Sequence, residues 1–207
     1  DGVTYNVSGY FTQSDSGVAV VAADGTQYVQ SYEAHEVVGD DTAAQTVEVT
    51  LREADATIQV TVLDAAGDPE SSAWVSVIEA NIENSETAWS NYSGGQTNSN
   101  GIATIPVQGD KTYTVYAYPA DAYTTGGVLP PPHKTVTVAS DDTESVTMRS
   151  VESDWTLGLA IQFADDAIAP EDAEYVYCYA YSEALGVDTY ASLTSGSGTM
   201  HLVSDAV

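Results

Sequence analysis

The chain has 207 residues, and its four Lys and Arg residues stand against 31 Asp and Glu, which gives a formal net charge of −27. A charge of this size would be repelled by a phosphate backbone and by an anionic membrane surface, which argues against nucleic acid and anionic lipid as partners. Hydrophobic residues make up 43% of the chain and 14 residues are Tyr, so the composition is sufficient for a folded core.

The scarcity of Lys beside abundant Asp, Glu, Ser and Thr favours a high-salt setting, in which salt screens such a surface. The alternative is an ordinary acidic surface protein that holds divalent cations. No run of 18 apolar residues is present, so the sequence predicts no membrane span. The chain opens on Asp1, which indicates a processed N-terminus or an excerpt of a longer chain.

Apolar and polar residues alternate with a period of two in several short segments, which predicts β-strands. In chain order the predicted strands are 47–51, 56–63, 73–77, 112–118, 134–138 and 175–180. Turn-forming clusters lie at 65–69, 98–101, 109–110, 130–132 and 140–143, and no segment has a sustained helical apolar stripe. The predicted fold class is therefore all-β, built from antiparallel β-sandwiches.

An internal repeat divides the chain into one intact unit and one unit split between the termini. Residues 55–153 form the intact unit, 154–207 match its first half, and 1–54 match its second half. The first match pairs Asp55 with Asp154, Thr57 with Thr156, Trp74 with Tyr175 and Gly101 with Gly198. The second match pairs Thr4 with Thr112, His35 with His133, Asp40-Asp41-Thr42 with Asp141-Asp142-Thr143, and Arg52 with Arg149.

Four segments of the intact unit, 60–69, 73–75, 97–105 and 113–117, resemble prealbumin-like and Cna protein B-type modules, which are also known as carboxypeptidase regulatory-like domains. The resemblance implies an immunoglobulin-like or prealbumin-like β-sandwich. It also implies a role as a stalk, spacer or filament building block on a microbial cell surface. Some such modules carry a Lys–Asn/Asp isopeptide bond, but the first strands, Ala56–Leu63 and Trp155–Phe163, contain no Lys.

Half of a β-sandwich exposes an apolar face and strand edges, so the segments 1–54 and 154–207 each require a complement. The halves could meet within one chain or between chains, or the chain could be an excerpt of a longer tandem array. We expect the second arrangement, a head-to-tail homopolymer that forms a pilus-like extracellular filament by half-domain complementation. The alternatives are a tandem-repeat cell-surface stalk or adhesin and a calcium- or carbohydrate-binding module. The residues expected at the subunit interface are Tyr5, Val7, Tyr10, Val47, Val49, Leu51, Leu157, Leu159, Ile161, Tyr175, Tyr177, Tyr179 and Leu202.

Acidic turns suggest calcium, which binds hard oxygen ligands. The candidate ligands are Asp40, Asp41, Asp141, Asp142, Asp64, Asp68, Asp165 and Asp166, although turn chemistry alone also explains these residues. The sequons at Asn6 and Asn91 are candidate glycosylation sites. The histidines are scattered and no catalytic motif is present, so the sequence predicts no enzyme. The single cysteine, Cys178, is expected to be a small buried thiol.

Overall fold

The computed structural model describes residues 4–8, 20–29, 34–38, 46, 48, 51–80, 92–120, 127–162 and 176–204. These residues form eighteen β-strands and no helix, which confirms the all-β fold class. The strands before residue 100 are β1 (Thr4–Ser8), β2 (Val20–Val21), β3 (Gln27–Val29), β4 (Ala34–Val38), β5 (Arg52–Glu53), β6 (Ala56–Leu63), β7 (Trp74–Glu79) and β8 (Tyr92–Gln96). The later strands are β9 (Ile102–Val107), β10 (Lys111–Tyr118), β11 (Val128–Leu129), β12 (Lys134–Val138), β13 (Thr143–Arg149), β14 (Val151–Glu152), β15 (Trp155–Ala160), β16 (Val176–Ser182), β17 (Val187–Leu193) and β18 (Ser197–Leu202).

Two sheets between residues 56 and 149 enclose the main hydrophobic core. The larger sheet has the strand order β12-β10-β7-β8, and each strand is antiparallel to its neighbours. The smaller sheet has the order β13-β6-β9, in which β6 is antiparallel to β9 and parallel to β13. This pair of sheets around one core is consistent with a β-sandwich.

Alternation within the strands explains why the two sheets pack face to face. In β6, Ile58, Val60 and Val62 are completely buried, and the residues between them are partly exposed. They share the core with Val75 and Val77 of the opposite sheet. Side chains on one strand point alternately to the two faces, so every second residue of β6 enters the core.

Most predicted strands are observed close to their expected bounds. The predicted strands 56–63 and 134–138 match β6 and β12, and β7, β10 and β16 lie within two residues of their predictions. The predicted strand 47–51 falls mainly outside the described residues. The described strand that follows it is Arg52–Glu53.

Polar side chains close the turns of the first sandwich by binding backbone N–H groups. The carboxylate of Asp64 accepts hydrogen bonds from the amides of Gly67 at 2.7 Å and Asp68 at 2.8 Å. The buried hydroxyl of Thr97 accepts from the amide of Ala73 at 2.9 Å and donates to the carbonyl of Glu70 at 2.6 Å. The bonds of Thr97 pair a hydroxyl that burial would otherwise leave without a partner.

The segments on either side of the first sandwich form smaller ladders. β1 pairs with β4, and β2, β3 and β5 form a three-stranded sheet. In the C-terminal segment β15 pairs with β18 and β16 pairs with β17, while β11 and β14 form a short ladder. No helix in the part of the chain that the structure describes is long and apolar enough to cross a membrane.

Candidate functional site

The ladder between β15 and β18 repeats the ladder between β6 and β9. Thr57 lies opposite Pro106, and its repeat counterpart Thr156 lies opposite His201. With Thr57 equivalent to Thr156, this register makes Gly196 the counterpart of Gly101. Both glycines have left-handed backbones, with φ of 78° and 72°. The predicted equivalence of Gly101 with Gly198 is therefore wrong by two residues.

The aspartate that precedes the first strand has the same role in both ladders. Asp55 accepts a 2.6 Å hydrogen bond from the amide of Gly109 and a second bond from the hydroxyl of Ser140. Asp154 accepts bonds from the amide of Ser204 at 2.8 Å and from its hydroxyl at 2.6 Å. In the corrected register Ser204 corresponds to Gly109, so the C-terminal segment closes this end of its ladder as the first sandwich does.

Among the described strands, β15 has one hydrogen-bonded neighbour, whereas its counterpart β6 has two. β6 lies between β9 and β13, whereas β15 is hydrogen-bonded to β18 alone among the described strands. The consequence is visible in exposure. Ile58 is completely buried, but its counterpart Leu157 is 37% exposed and Trp155, on the same face, is 51% exposed. Among the described strands, one edge of β15 is thus unpaired and its apolar face is exposed, and such edges are templates for pairing.

The hairpin of β16 and β17 packs one face inward and carries tyrosines on the other. Cys178 and Ala180 lie opposite Ala191 and Thr189, and the side chains of this face are buried or half-buried. The alternate positions hold Tyr177 and Tyr179, which are 62% and 66% exposed. The structure places both tyrosines, which the sequence predicts at the subunit interface, on the face of β16 opposite to Cys178 and Ala180. Their interface role stays a prediction. The core-facing residues of β16 are the smaller ones between them.

The two ladders of the C-terminal segment form one small core. Strands β17 and β18 lie against each other, and Val187, Leu193 and Met200 are buried there. Leu129 of β11 is also buried and helps to line a cavity of about 90 Å³ between these strands. The segment before His133 therefore contributes an apolar side chain to this core.

In the N-terminal segment, the ladder between β1 and β4 repeats the ladder between β10 and β12. Val115 lies opposite Lys134, and its counterpart Val7 lies opposite His35. His35 therefore occupies the position of Lys134, and its predicted equivalence with His133 is wrong by one residue. In the predicted repeat, two separate pairs of the terminal segments, β4-β1 and β16-β17, correspond to the four-stranded order β12-β10-β7-β8.

His133 joins the first sandwich to the C-terminal hairpin, a contact that sequence analysis missed. Its backbone amide donates to the carbonyl of Gly186 at 2.9 Å, and its Nδ1 lies 3.0 Å from the same oxygen. Its ring packs between Tyr116 and Tyr181, with centroids 5.5 Å and 6.1 Å away. Burial beside this cluster raises the pKa of Asp188 above its ordinary value. Residues 53 positions apart meet here, which no local pattern indicates.

The predicted calcium ligands are not brought together in the part of the chain that the structure describes. No three His, Cys, Asp or Glu side chains among the described residues are placed to hold one metal ion. Asp64 is engaged by its turn, and Asp142 accepts a 2.7 Å bond from the amide of Thr143. Asp68 and Asp141 are exposed. The remaining candidates, Asp40, Asp41, Asp165 and Asp166, lie outside the described residues.

The other predicted site residues fall into three groups. Leu51, Leu159, Ile161 and Leu202 are partly exposed. Tyr5, Asn6 and Val7 are described as backbone of β1. The residues Tyr10, Val47, Val49, Asn91 and Tyr175 lie outside the described residues. The interface and glycosylation assignments stay predictions.

Comparison with known proteins shows distant structural similarity to two pilins and to the TIE protein. No protein-family model and no curated protein sequence matches the chain. Similar solved structures include the TIE protein of Bacillus anthracis, with 17% identity, a TM-score of 0.35, and coverage of 87% of this chain and 32% of that one. A streptococcal ancillary pilin has 9% identity, a TM-score of 0.37, and coverage of 98% and 64%. A mutant of the shaft pilin SpaA from Lactobacillus rhamnosus GG has 12% identity, a TM-score of 0.33, and coverage of 70% and 61%. The chain thus spans less than two thirds of each of these structures.

Proposed function

We propose that the protein is a structural subunit of an extracellular filament, in which the N-terminal segment of one copy completes the C-terminal segment of the next. The observation that carries this proposal is the division of the four-stranded sheet order into the pairs β4-β1 and β16-β17. Placing β1 of a second copy beside β16 would restore the order seen in the first sandwich. A contact of this kind is head-to-tail and does not close on itself, so it propagates into a fibre.

The first sandwich supplies the register of the proposed contact. Val115 lies opposite Val77 in the ladder between β10 and β7. The repeat makes Val7 the counterpart of Val115 and Cys178 the counterpart of Val77. Val7 of one copy should therefore lie opposite Cys178 of the next. Val115 and Val77 are both completely buried, so both counterparts would face the new core.

The free edge of β15 would be filled by the same partner segment. In the first sandwich Val146 lies opposite Val60 and Met148 opposite Val62, with the strands parallel. Because Arg52 corresponds to Arg149, the same register places Val49 opposite Leu159 and Leu51 opposite Ile161. The restored four-stranded sheet would cover the face on which Trp155 and Leu157 are exposed, as the larger sheet covers Ile58 in the first sandwich. The N-terminal segment of one neighbouring copy would therefore complete both sheets.

The size of the contact predicts a very stable link. Completing a sandwich buries an area in the range of obligate interfaces, above about 2,000 Å². Apolar burial stabilises by about 25 cal/mol per Å², so subunit exchange should be slow. Placement outside the cell follows from the resemblance of residues 55–153 to Cna protein B-type modules.

Disulfide trapping in the 207-residue chain tests the register. The chain has one cysteine, so Val7→Cys creates a single new pair with Cys178. Directly opposed strand residues have Cα atoms about 4.5–5.5 Å apart, within the range a disulfide spans. Mild oxidation should convert V7C into a ladder of disulfide-linked multimers on a non-reducing gel. Asn6→Cys, on the opposite face of β1, is the matched control and should yield few multimers.

The same gel separates the alternatives. An oxidised V7C monomer without free thiols would mean that the halves meet within one chain, and the filament proposal would be wrong. A monomer that keeps both thiols would show that Val7 and Cys178 never become neighbours, which would also contradict the proposal.

A further inference from the structure

A cavity of about 790 Å³ lies where the first sandwich meets the start of the C-terminal segment. Its wall includes side chains from the ends of β6 and β13, the start of β12 and the segment after β18. The volume is typical of sites for small organic ligands. Two of the four cationic side chains in the chain, Lys134 and Arg149, line this one cavity.

Neither cation is paired with a carboxylate among the described residues, although the chain has 31 acidic side chains. Lys134 Nζ donates to the backbone carbonyl of Thr147 at 2.7 Å, and Arg149 Nη2 donates to the carbonyl of Ala65. In contrast, Lys111, which lies outside the cavity, forms a 2.6 Å ion pair with Glu79. A guanidinium carries five N–H donors, so Arg149 keeps donors available for an anion.

Ser150 provides an independent indication of a ligand. This residue lines the same cavity and is 5% exposed. Its hydroxyl is buried and has no hydrogen-bond partner among the described residues. Buried hydroxyls are nearly always paired in folded proteins. Because this oxygen is closed to solvent in the structure, a ligand oxygen would pair with it once the Ser150 side chain rotates toward the cavity.

The rest of the wall defines the other features of the ligand. Leu63, Pro132, Val151 and Val203 offer an apolar surface. Glu152 and Asp154 also line the cavity, and their charge would disfavour a ligand with several negative groups. We propose that this cavity binds a small organic monocarboxylate, with its carboxylate at Arg149 and Lys134 and its apolar body against Leu63 and Val151.

Binding of cyclohexanecarboxylate and of its neutral analogue cyclohexanecarboxamide to the full chain tests the proposal. Heteronuclear NMR titration should show saturable shifts at Ser150 and Val151 for the acid, and at least about tenfold weaker binding for the amide. Lys134→Gln and Arg149→Gln should each weaken binding of the acid by about tenfold or more and leave the affinity for the amide unchanged. Lys134 is exposed, so K134Q is a variant that should fold. Lys111→Gln, which removes a cation outside the cavity, is the control and should bind as the parent chain does.

Three results would overturn the proposal. The first is equal affinity for the acid and the amide. The second is a loss of affinity for the acid in K111Q as large as that in K134Q and R149Q. The third is the absence of saturable shifts up to the solubility limit of the acid. If the acid does not bind but R149Q dissociates an assembly of the chain in sedimentation velocity, the carboxylate that contacts Arg149 belongs to a second copy of the chain. That result would also exclude the small ligand. The disulfide test at Val7 is independent of this cavity, so the two proposals can fail separately.

Discussion

Asp154 accepts both the amide and the hydroxyl hydrogen bond of Ser204, at 2.8 Å and 2.6 Å. Asp55 needs two different turns for the equivalent pair of bonds, since Gly109 supplies the amide and Ser140 the hydroxyl. Ser140 belongs to the turn before β13, and no described strand takes the place beside β15 that β13 takes beside β6. The contact at Asp154 is therefore satisfied within the C-terminal segment, whereas the one at Asp55 requires a complete sandwich.

Removing the Asp55 carboxylate should destabilise the first sandwich. Asp55→Ala removes two hydrogen bonds to a charged acceptor, and we expect the free energy of unfolding to fall by about 1–2 kcal/mol in urea denaturation. Asp68→Ala is the matched control because Asp68 is exposed in a neighbouring turn, and it should change stability by less than about 0.5 kcal/mol. An equal loss in both variants would show that charge, and not these bonds, is responsible.

The Asp55 contribution should also depend on pH. The hydroxyl of Ser140 and the amide of Gly109 lower the pKa of Asp55 below its ordinary value of 3.8. A lowered pKa means that the folded state holds the ionised form, so the contribution is complete above about pH 5 and disappears as the pH falls through the folded pKa. The stability difference between the parent chain and D55A should therefore shrink on acidification below pH 4, which urea denaturation at several pH values measures. A difference that stays constant down to pH 2 would contradict this assignment.

Strand positions followed from the sequence more reliably than strand registers did. An alternating pattern fixes which residues face inward, but a shift of two residues preserves that pattern. The sequence therefore predicts Gly198 as the counterpart of Gly101, whereas the observed register makes it Gly196. The β4 segment around His35, AHEVV, does not alternate strictly, so even a shift of one residue went unseen there.

The tyrosines of β16 show a second limit of pattern analysis. Tyr177 and Tyr179 alternate with Cys178 and Ala180, and both sets are compatible with a buried face. The neighbouring strand β17 determines which face of β16 packs inward, because its buried residues Ala191 and Leu193 lie on the side of Cys178. The monocarboxylate cavity was beyond sequence reasoning for a related reason. Its cations lie on β12 and β13, and only the packing of these strands brings them to one wall.

Equivalent apolar residues in the two units should respond differently to truncation. Ile58→Ala removes a completely buried side chain and should cost about 2–5 kcal/mol in every state of the protein. Leu157→Ala should cost less than about 1 kcal/mol in dissociated subunits because Leu157 is partly exposed. In assembled material, where a partner strand covers β15, L157A should lower the temperature of dissociation markedly. Calorimetry of L157A and the parent chain, as dissociated subunits and as assembled material, measures this difference. An identical effect of L157A in the two forms would argue against a partner strand beside β15.

Gly101 and Gly158 should differ in how well they tolerate substitution by alanine. Gly101 has φ of 72°, and an added Cβ would lie 2.6 Å from the carbonyl oxygen of Val62. We expect Gly101→Ala to lower the free energy of unfolding by about 1–3 kcal/mol. Gly158 in β15 has no atom within 4 Å of an added Cβ, so Gly158→Ala should be neutral or slightly stabilising in dissociated subunits. Thermal unfolding of the two variants checks the order, and a G158A loss as large as that of G101A would show that β15 is already covered.

Assembly should weaken when salt is removed. Each subunit would carry a net charge of −27, and neighbouring links repel one another unless ions screen them. The Debye length grows from about 3 Å at 1 M to about 10 Å at 0.1 M ionic strength, so light scattering should fall on dialysis into dilute buffer. Sodium chloride and calcium chloride compared at matched ionic strength separate general screening from a specific calcium site. Equal recovery of scattering in the two salts is the expected result for screening, whereas recovery at far lower calcium would assign the acidic turns a metal-binding role. Filaments that persist unchanged in dilute buffer would show that the contact between half-domains outweighs this repulsion, and the high-salt interpretation of the charge would be wrong.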